Sequence, residues 1–177
     1  MSDSPTPPRP SQLWKQLSPD RRLIAAEAFW RDDNAFAEQA EAIALIAQRI
    51  KFRLKSVQAM PVDKKARQLV ALSAVSELVA ARLLVAYHLV HQRPMMARFL
   101  DALGIRHDEG LIDEEDVAAP SPERLRAAAR TLGESFPAED VSLYFSTLLW
   151  QDPETGGGLA ELPPLSGASQ PASTQPA

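Results

Sequence analysis

The stretch LVALSAVSELVAARLLVAYHLV, residues 69 to 90, decides the fold of this chain. Only six of its side chains are clearly polar, and Glu77 and Arg82 stand near its middle. Each of these two charges would cost about 2.5 to 3.5 kcal/mol at the centre of a bilayer, which disfavours a membrane span. At 100° per residue the apolar positions surround most of the helix, as in a buried helix. The stretch therefore predicts the central helix of a bundle.

Helix signals recur on both sides of this stretch. Residues 18–20 and 121–123 are Ser-Pro-acid triplets, which supply an N-cap hydroxyl, a proline at the first helical position and an acid in the first turn. Alternating β-branched residues are absent. We therefore predict an all-α fold, a single bundle of about five to seven helices, with two long antiparallel helices at its centre over residues 34–58 and 63–91.

The ends of these two helices rest on local signals. Asp32 or Asp33 is expected to cap the first long helix. Pro94 either kinks the second long helix or begins a separate short helix that Gly104 ends. Residues 106–119 are expected to form a polar connection with at most one helical turn.

Composition separates a folded region from two polar termini. Residues 151–177 contain five of the 15 prolines and four of the seven glycines, and residues 1–10 contain four more prolines. Such segments contain too few apolar residues to form a core. We expect a disordered N-terminal segment at 1–10, one helical domain at 11–150 and a disordered tail at 151–177.

The overall composition excludes several classes of function. The chain has no cysteine, so it has neither disulfides nor thiolate metal sites. Residues 1–10 lack the apolar core of a secretory signal, and we expect a cytoplasmic protein. A net charge of −4 disfavours nucleic-acid binding driven by total charge.

Catalytic and metal-binding motifs are also missing from the sequence. There is no Gly-rich phosphate loop, Gly-x-Ser-x-Gly elbow, His-Glu-x-x-His or Glu-x-x-His. His88 and His91 are three residues apart, but Glu77 lies about 16 Å from His88 along a continuous helix, too far to share one ion. We expect no metal, no cofactor and no catalytic activity. The alternative is a small-molecule-binding or enzymatic bundle that uses Glu77 and His88.

The candidate buried polar residues are Glu77, Arg82 and His88. On a continuous helix Glu77 and Arg82 project about 140° apart, so each needs a partner elsewhere. Arg49 or Arg53 of the preceding helix is the expected partner of Glu77. Whether Glu77 and His88 line a pocket or belong to structural pairs stays open at this point.

Charge is strongly clustered along the chain. Residues 49–67 contain seven basic residues and one acid, whereas residues 101–116 contain seven acids and one arginine. Leu45 and Phe52 are expected on the side of the first long helix opposite the face formed by Ile43, Ile46, Ile50 and Leu54. Either Trp14, Phe29 and Trp30 or another protein covers them. The candidate interaction surface comprises Leu45, Phe52, Lys51, Lys55, Lys64, Lys65, Asp113, Glu114 and Glu115.

These observations favour a non-catalytic helical module for protein interaction or oligomerisation. The expected partner is another protein or a second copy of the chain, because opposite charge clusters steer association and set orientation. Nucleic-acid binding through residues 49–67 is a further alternative, although Phe52 is the only aromatic residue there.

Overall fold

A computed structural model describes residues 8–113 and 117–151 of the chain. Within these residues the protein has nine helices and one short hairpin, so the predicted all-α class is confirmed. The elements are α1 (Pro10–Gln16), α2 (Pro19–Trp30), α3 (Phe36–Ile50), α4 (Leu54–Gln58), α5 (Val62–Val70), α6 (Glu77–His91), α7 (Arg93–Leu103), β1 (His107–Asp108), β2 (Leu111–Ile112), α8 (Pro122–Ser135) and α9 (Ala138–Gln151).

Both Ser-Pro triplets begin helices as predicted. The Ser18 hydroxyl accepts a hydrogen bond from the Arg21 N–H at 3.3 Å, and the Ser121 hydroxyl accepts one from the Arg124 N–H at 3.4 Å. Each cap satisfies one of the N–H groups that a first helical turn leaves without an intrahelical partner.

The predicted helix over residues 34–58 is wrong, because the chain leaves the helix after Ile50. Lys51 adopts a left-handed conformation with φ of 57°, and the Phe52 N–H donates to the Ala47 carbonyl at 3.0 Å. This closure satisfies a carbonyl of the last turn and stops the helix. Arg53 is extended, and α4 begins at the next residue.

The start of α3 also differs from the prediction. Ala35 precedes the helix and makes no side-chain cap. Asp32 instead accepts a hydrogen bond from the Asn34 N–H at 2.9 Å, in the turn between α2 and α3. Asp32 therefore shapes the turn and does not cap the helix.

The predicted helix over residues 63–91 is also interrupted. Helix α5 ends at Val70, and α6 begins at Glu77, where the Ser76 hydroxyl accepts from the Val79 N–H at 3.2 Å. The described residues thus form nine helices instead of five to seven, and the two long antiparallel helices are replaced by shorter ones. Helix α6 is nevertheless central, since it packs against α1, α2, α3, α7 and α9.

Beyond α6 the chain starts a separate helix, one of the two outcomes expected at Pro94. Helix α7 has this proline in its first turn, and Gly104 ends the helix with φ of 65°. The connection after α7 differs from the expected polar segment, because β1 and β2 pair antiparallel, with His107 opposite Ile112. A turn with Gly110 at φ of 85° joins the two strands.

The buried residues form two hydrophobic clusters. The first is built mainly by α1, α2, α3, α5 and α6, and the second by α7, α8 and α9. Helix α9 belongs to both clusters, because Leu143 lies in the first whereas Tyr144 and Phe145 lie in the second.

The helices extend slightly beyond the expected domain. Pro10 is buried at the start of α1, and Gln151 is the last residue of α9. Residues 1–7 and 152–177 of the two expected terminal segments lie outside the described residues. No helix in the described part of the chain has both the length and the hydropathy needed to cross a membrane.

Candidate functional site

An exposed segment that runs from the end of α3 into the first two residues of α4 carries part of the predicted interaction surface. Phe52 and Leu54 are 55% and 56% exposed, and Lys51, Arg53 and Lys55 alternate with them and are exposed too. We call residues 51–55 the basic apolar turn. Leu54 was expected on the inward face of a continuous helix, and this expectation is wrong because the helix ends at Ile50.

The basic apolar turn has a fixed backbone. The Phe52 N–H is bonded to the last turn of α3, and Val57, fully buried, anchors α4 in the first cluster. The turn can therefore present Phe52 and Leu54 without first being ordered, which reduces the entropy cost of binding.

Leu45 and the three aromatic residues that could have covered Phe52 are all less exposed than Phe52. Leu45 is half-buried on α3. Trp14, Phe29 and Trp30 are buried in the first cluster, while Phe52 is left exposed.

Several basic side chains of residues 49–67 are held within the chain. The Lys65 ammonium lies 4.8 Å from the centre of the Trp30 ring. Arg67 pairs with Asp63 at 2.6 Å, and Arg49 donates to Gln68 at 3.0 Å. Lys64 is exposed. Three of the seven basic side chains of residues 49–67 thus have a partner within the chain.

The acidic part of the predicted surface is only partly described. Asp113 pairs with Arg106 at 3.4 Å after strand β2. Glu114 and Glu115 lie outside the described residues.

Glu77 binds the N-terminal helix, which corrects its expected pairing with Arg49 or Arg53. Its carboxylate accepts hydrogen bonds from the Ser11 N–H at 2.9 Å and from the Ser11 hydroxyl at 2.7 Å. The backbone N–H of Ser11 contributes most to holding the pKa of Glu77 below its usual range. This carboxylate connects α1 to α6.

Arg82 forms a partly buried ion pair. Its guanidinium lies 2.9 Å from the Asp32 carboxylate, in the turn between α2 and α3. The pair joins this turn to the middle of α6. Arg82 therefore has a partner outside its own helix, as we expected from the sequence.

His88 is buried between the two hydrophobic clusters. Thr147 on α9 donates its hydroxyl proton to the Leu143 carbonyl at 2.8 Å, so its oxygen accepts from His88 Nε2 at 3.1 Å. The rings of Tyr87 and Tyr144 meet the imidazole edge-on. Burial lowers the pKa of His88 to about 4, which keeps the imidazole neutral at pH 7.

The structure does not bring Glu77 and His88 together. They stand near opposite ends of α6 and contact different partners, Ser11 and Thr147. Within the described residues, no three His, Asp or Glu side chains gather as metal ligands. The pair therefore does not form the single site that the alternative hypothesis required.

A second polar contact links α2 to the first turn of α9. Arg21 reaches Asp140 at 2.8 Å and Glu139 at 3.1 Å. Together with the His88–Thr147 contact, it fixes α9 against the first cluster.

A cavity of about 410 Å³ lies beside the second cluster. The described residues that line it are Met96, Phe99, Leu100, Leu103, Ile105, Gly110, Leu111, Ile112, Val117, Ala118, Ala119, Pro120, Leu125, Tyr144 and Leu148. Sequence reasoning missed this cavity, because its walls come from α7, the hairpin, α8, α9 and the segment before α8. No local pattern connects these segments.

No protein-family model, curated protein or solved structure matches this chain.

Proposed function

We propose that this chain is a non-catalytic helical interaction module that binds a partner protein through the basic apolar turn. The observation that carries the proposal is the exposure of Phe52 and Leu54 on an ordered turn with basic side chains between them. Aromatic anchors surrounded by polar side chains are typical of protein interfaces.

The chemistry of the turn defines the kind of partner. Phe52 and Leu54 require an apolar pocket, and Lys51, Arg53 and Lys55 favour acidic side chains around it. An exposed ion pair contributes only about 0 to 1 kcal/mol, so the apolar contacts must supply most of the affinity. We therefore propose a partner surface with an apolar centre and an acidic rim.

The test compares Phe52→Ala with Lys51→Ala and with the matched control Leu78→Ala. Leu78 is 65% exposed at the start of α6, outside the turn. Each full-length variant is used to capture proteins from a lysate at two salt concentrations. The affinity of each variant for the recovered partner is then measured with both proteins purified. We expect Phe52→Ala to abolish specific recovery, Lys51→Ala to weaken it less, and Leu78→Ala to leave it unchanged.

Stability measurements make this comparison interpretable. Phe52→Ala should change the free energy of unfolding by no more than about 0.5 kcal/mol, because the ring is mostly exposed. Val57→Ala should cost about 2 kcal/mol, because Val57 is fully buried. Equal recovery by the wild type and Phe52→Ala would contradict the proposal, as would unfolding of Phe52→Ala. If the turn instead mediates association of two copies, sedimentation will show a dimer that Phe52→Ala dissociates.

A further inference from the structure

The cavity beside the second cluster has the dimensions of a ligand site. Its volume of about 410 Å³ lies within the range of roughly 300 to 1,000 Å³ that is common for small-molecule pockets. It is distinct from the basic apolar turn, since none of residues 51–55 lines it.

The hairpin wall of the cavity is held firmly on α7. Arg93 donates to the Glu109 carbonyl at 3.0 Å, and His107 Nε2 lies 3.1 Å from the Oδ1 atom of Asp101. Gly110 packs so closely that a Cβ atom there would lie 2.9 Å from the Cβ of Met96. These contacts hold the hairpin against α7.

The opposite side of the cavity is also connected. The Arg124 guanidinium, at the start of α8, donates to the Leu103 carbonyl at the end of α7. Side-chain bonds thus tie both α8 and the hairpin to α7, so a ligand would not have to order these two walls.

The lining determines the chemistry of the ligand. None of the described lining residues carries a charge, and Tyr144 is the one among them with a side-chain hydroxyl. Burial raises the pKa of Tyr144, so this phenol stays neutral. A charged ligand would lose its hydration without gaining a partner of opposite charge from these described residues. The complementary molecule is therefore neutral and largely apolar, with at most one polar group near Tyr144.

We propose that this cavity is a binding site for a neutral, mainly hydrocarbon small molecule. The apolar stretch LAELPPL at residues 159–165 of the same chain is a competing occupant, but Glu161 would bring a charge to described lining residues that carry none. The small molecule matches the cavity better in charge.

The probe for this test is N-phenyl-1-naphthylamine, a neutral dye whose fluorescence rises in apolar surroundings. We expect saturable binding of one dye per full-length chain. Leu111→Asp puts a charge on the cavity wall at a residue that is 40% exposed, and Leu78→Asp is the matched surface control. Leu111→Asp should weaken dye binding at least tenfold, whereas Leu78→Asp should leave it unchanged.

A second variant tests occupancy through shape instead of charge. Leu148→Trp enlarges a half-buried lining side chain on α9 and should also weaken binding at least tenfold, with helix content unchanged by circular dichroism. Absence of saturable binding to the wild type, or equal binding by Leu111→Asp and Leu78→Asp, would overturn the proposal. So would tenfold tighter binding by Leu162→Asp, because that result would assign the cavity to residues 159–165.

Discussion

Replacing His88 by glutamine should remove a large part of the pH dependence of stability. His88 is only 3% exposed, and burial lowers its pKa from 6.5 to about 4 in the folded protein. Glutamine is neutral at every pH in this range, and its amide N–H can donate to Thr147 as His88 Nε2 does. The substitution therefore removes the titration while it preserves the hydrogen bond.

The sign and size of the effect follow from proton linkage. Between pH 6.5 and about pH 4, the imidazole binds a proton in the unfolded chain but not in the folded one, so acid favours unfolding. At 1.36 kcal/mol per pKa unit, the titration of His88 lowers the free energy of unfolding of the wild type by about 3 kcal/mol as the pH falls from 7 to 4. Below about pH 4 the imidazole is protonated in both states, and the loss is complete.

Urea denaturation followed by circular dichroism at a series of pH values measures this loss. Other titrating groups contribute equally to both proteins, so the difference in unfolding free energy between the wild type and His88→Gln should shift by about 3 kcal/mol from pH 7 to pH 4. Parallel pH profiles for the wild type and His88→Gln would refute the reasoning.

Three further substitutions test individual contacts by urea denaturation at neutral pH. Glu77→Gln should lower the free energy of unfolding by about 1 kcal/mol, since it removes the charge from the hydrogen bonds that connect α6 to α1; no change would mean that this connection adds nothing to stability. Arg82→Leu should lower the free energy of unfolding by about 1 to 3 kcal/mol, because it leaves Asp32 without its ion pair. The same substitution should lower it less in an Asp32→Asn background, and equal losses in the two backgrounds would exclude coupling between Arg82 and Asp32. Gly110→Ala should lower the free energy of unfolding by about 2 kcal/mol, because a Cβ atom at Gly110 would meet neighbouring atoms at 2.9 to 3.0 Å. This loss should exceed that of Gly104→Ala, and the reverse order would contradict the close packing of Gly110.

The helical class and many helix starts could be predicted from the sequence because their signals are local. Residues 18–20 and 121–123 contain the cap, the proline and the acid that a helix start requires, and Gly104 supplies the left-handed conformation at the end of α7. The structure uses each of these signals as predicted.

The two interrupted helices show the limit of the apolar pattern. Helix α3 ends with a left-handed lysine, and no glycine at Lys51 signals the stop. At Ser76 the signal was present, because a serine followed by Glu77 is a typical helix start. The continuous apolar run around it favours a single buried helix, and this pattern wrongly predicts a partner for Glu77 on the preceding helix.

The positions of the candidate sites depend on tertiary structure more than the ends of the helices do. The exposure of Phe52 was an open alternative in the sequence, and the structure settles that this ring is not covered within the described residues. The contact between Glu77 and Ser11 joins residues 66 positions apart. The cavity requires five segments to meet, so neither its position nor the role of Tyr144 could be predicted from periodicity.

The membership of α9 in both hydrophobic clusters prevents this helix from turning about its own axis. Leu143 faces one cluster, and the next residue, Tyr144, faces the other, so rotation in either direction would expose apolar surface to water. The His88–Thr147 bond opposes the same rotation from the side of α6. Because Tyr144 and Leu148 also line the cavity, an occupant would press on a helix that can move only by separating the two clusters. The wall of the cavity that Tyr144 and Leu148 form therefore keeps its position for as long as α9 stays packed on both clusters.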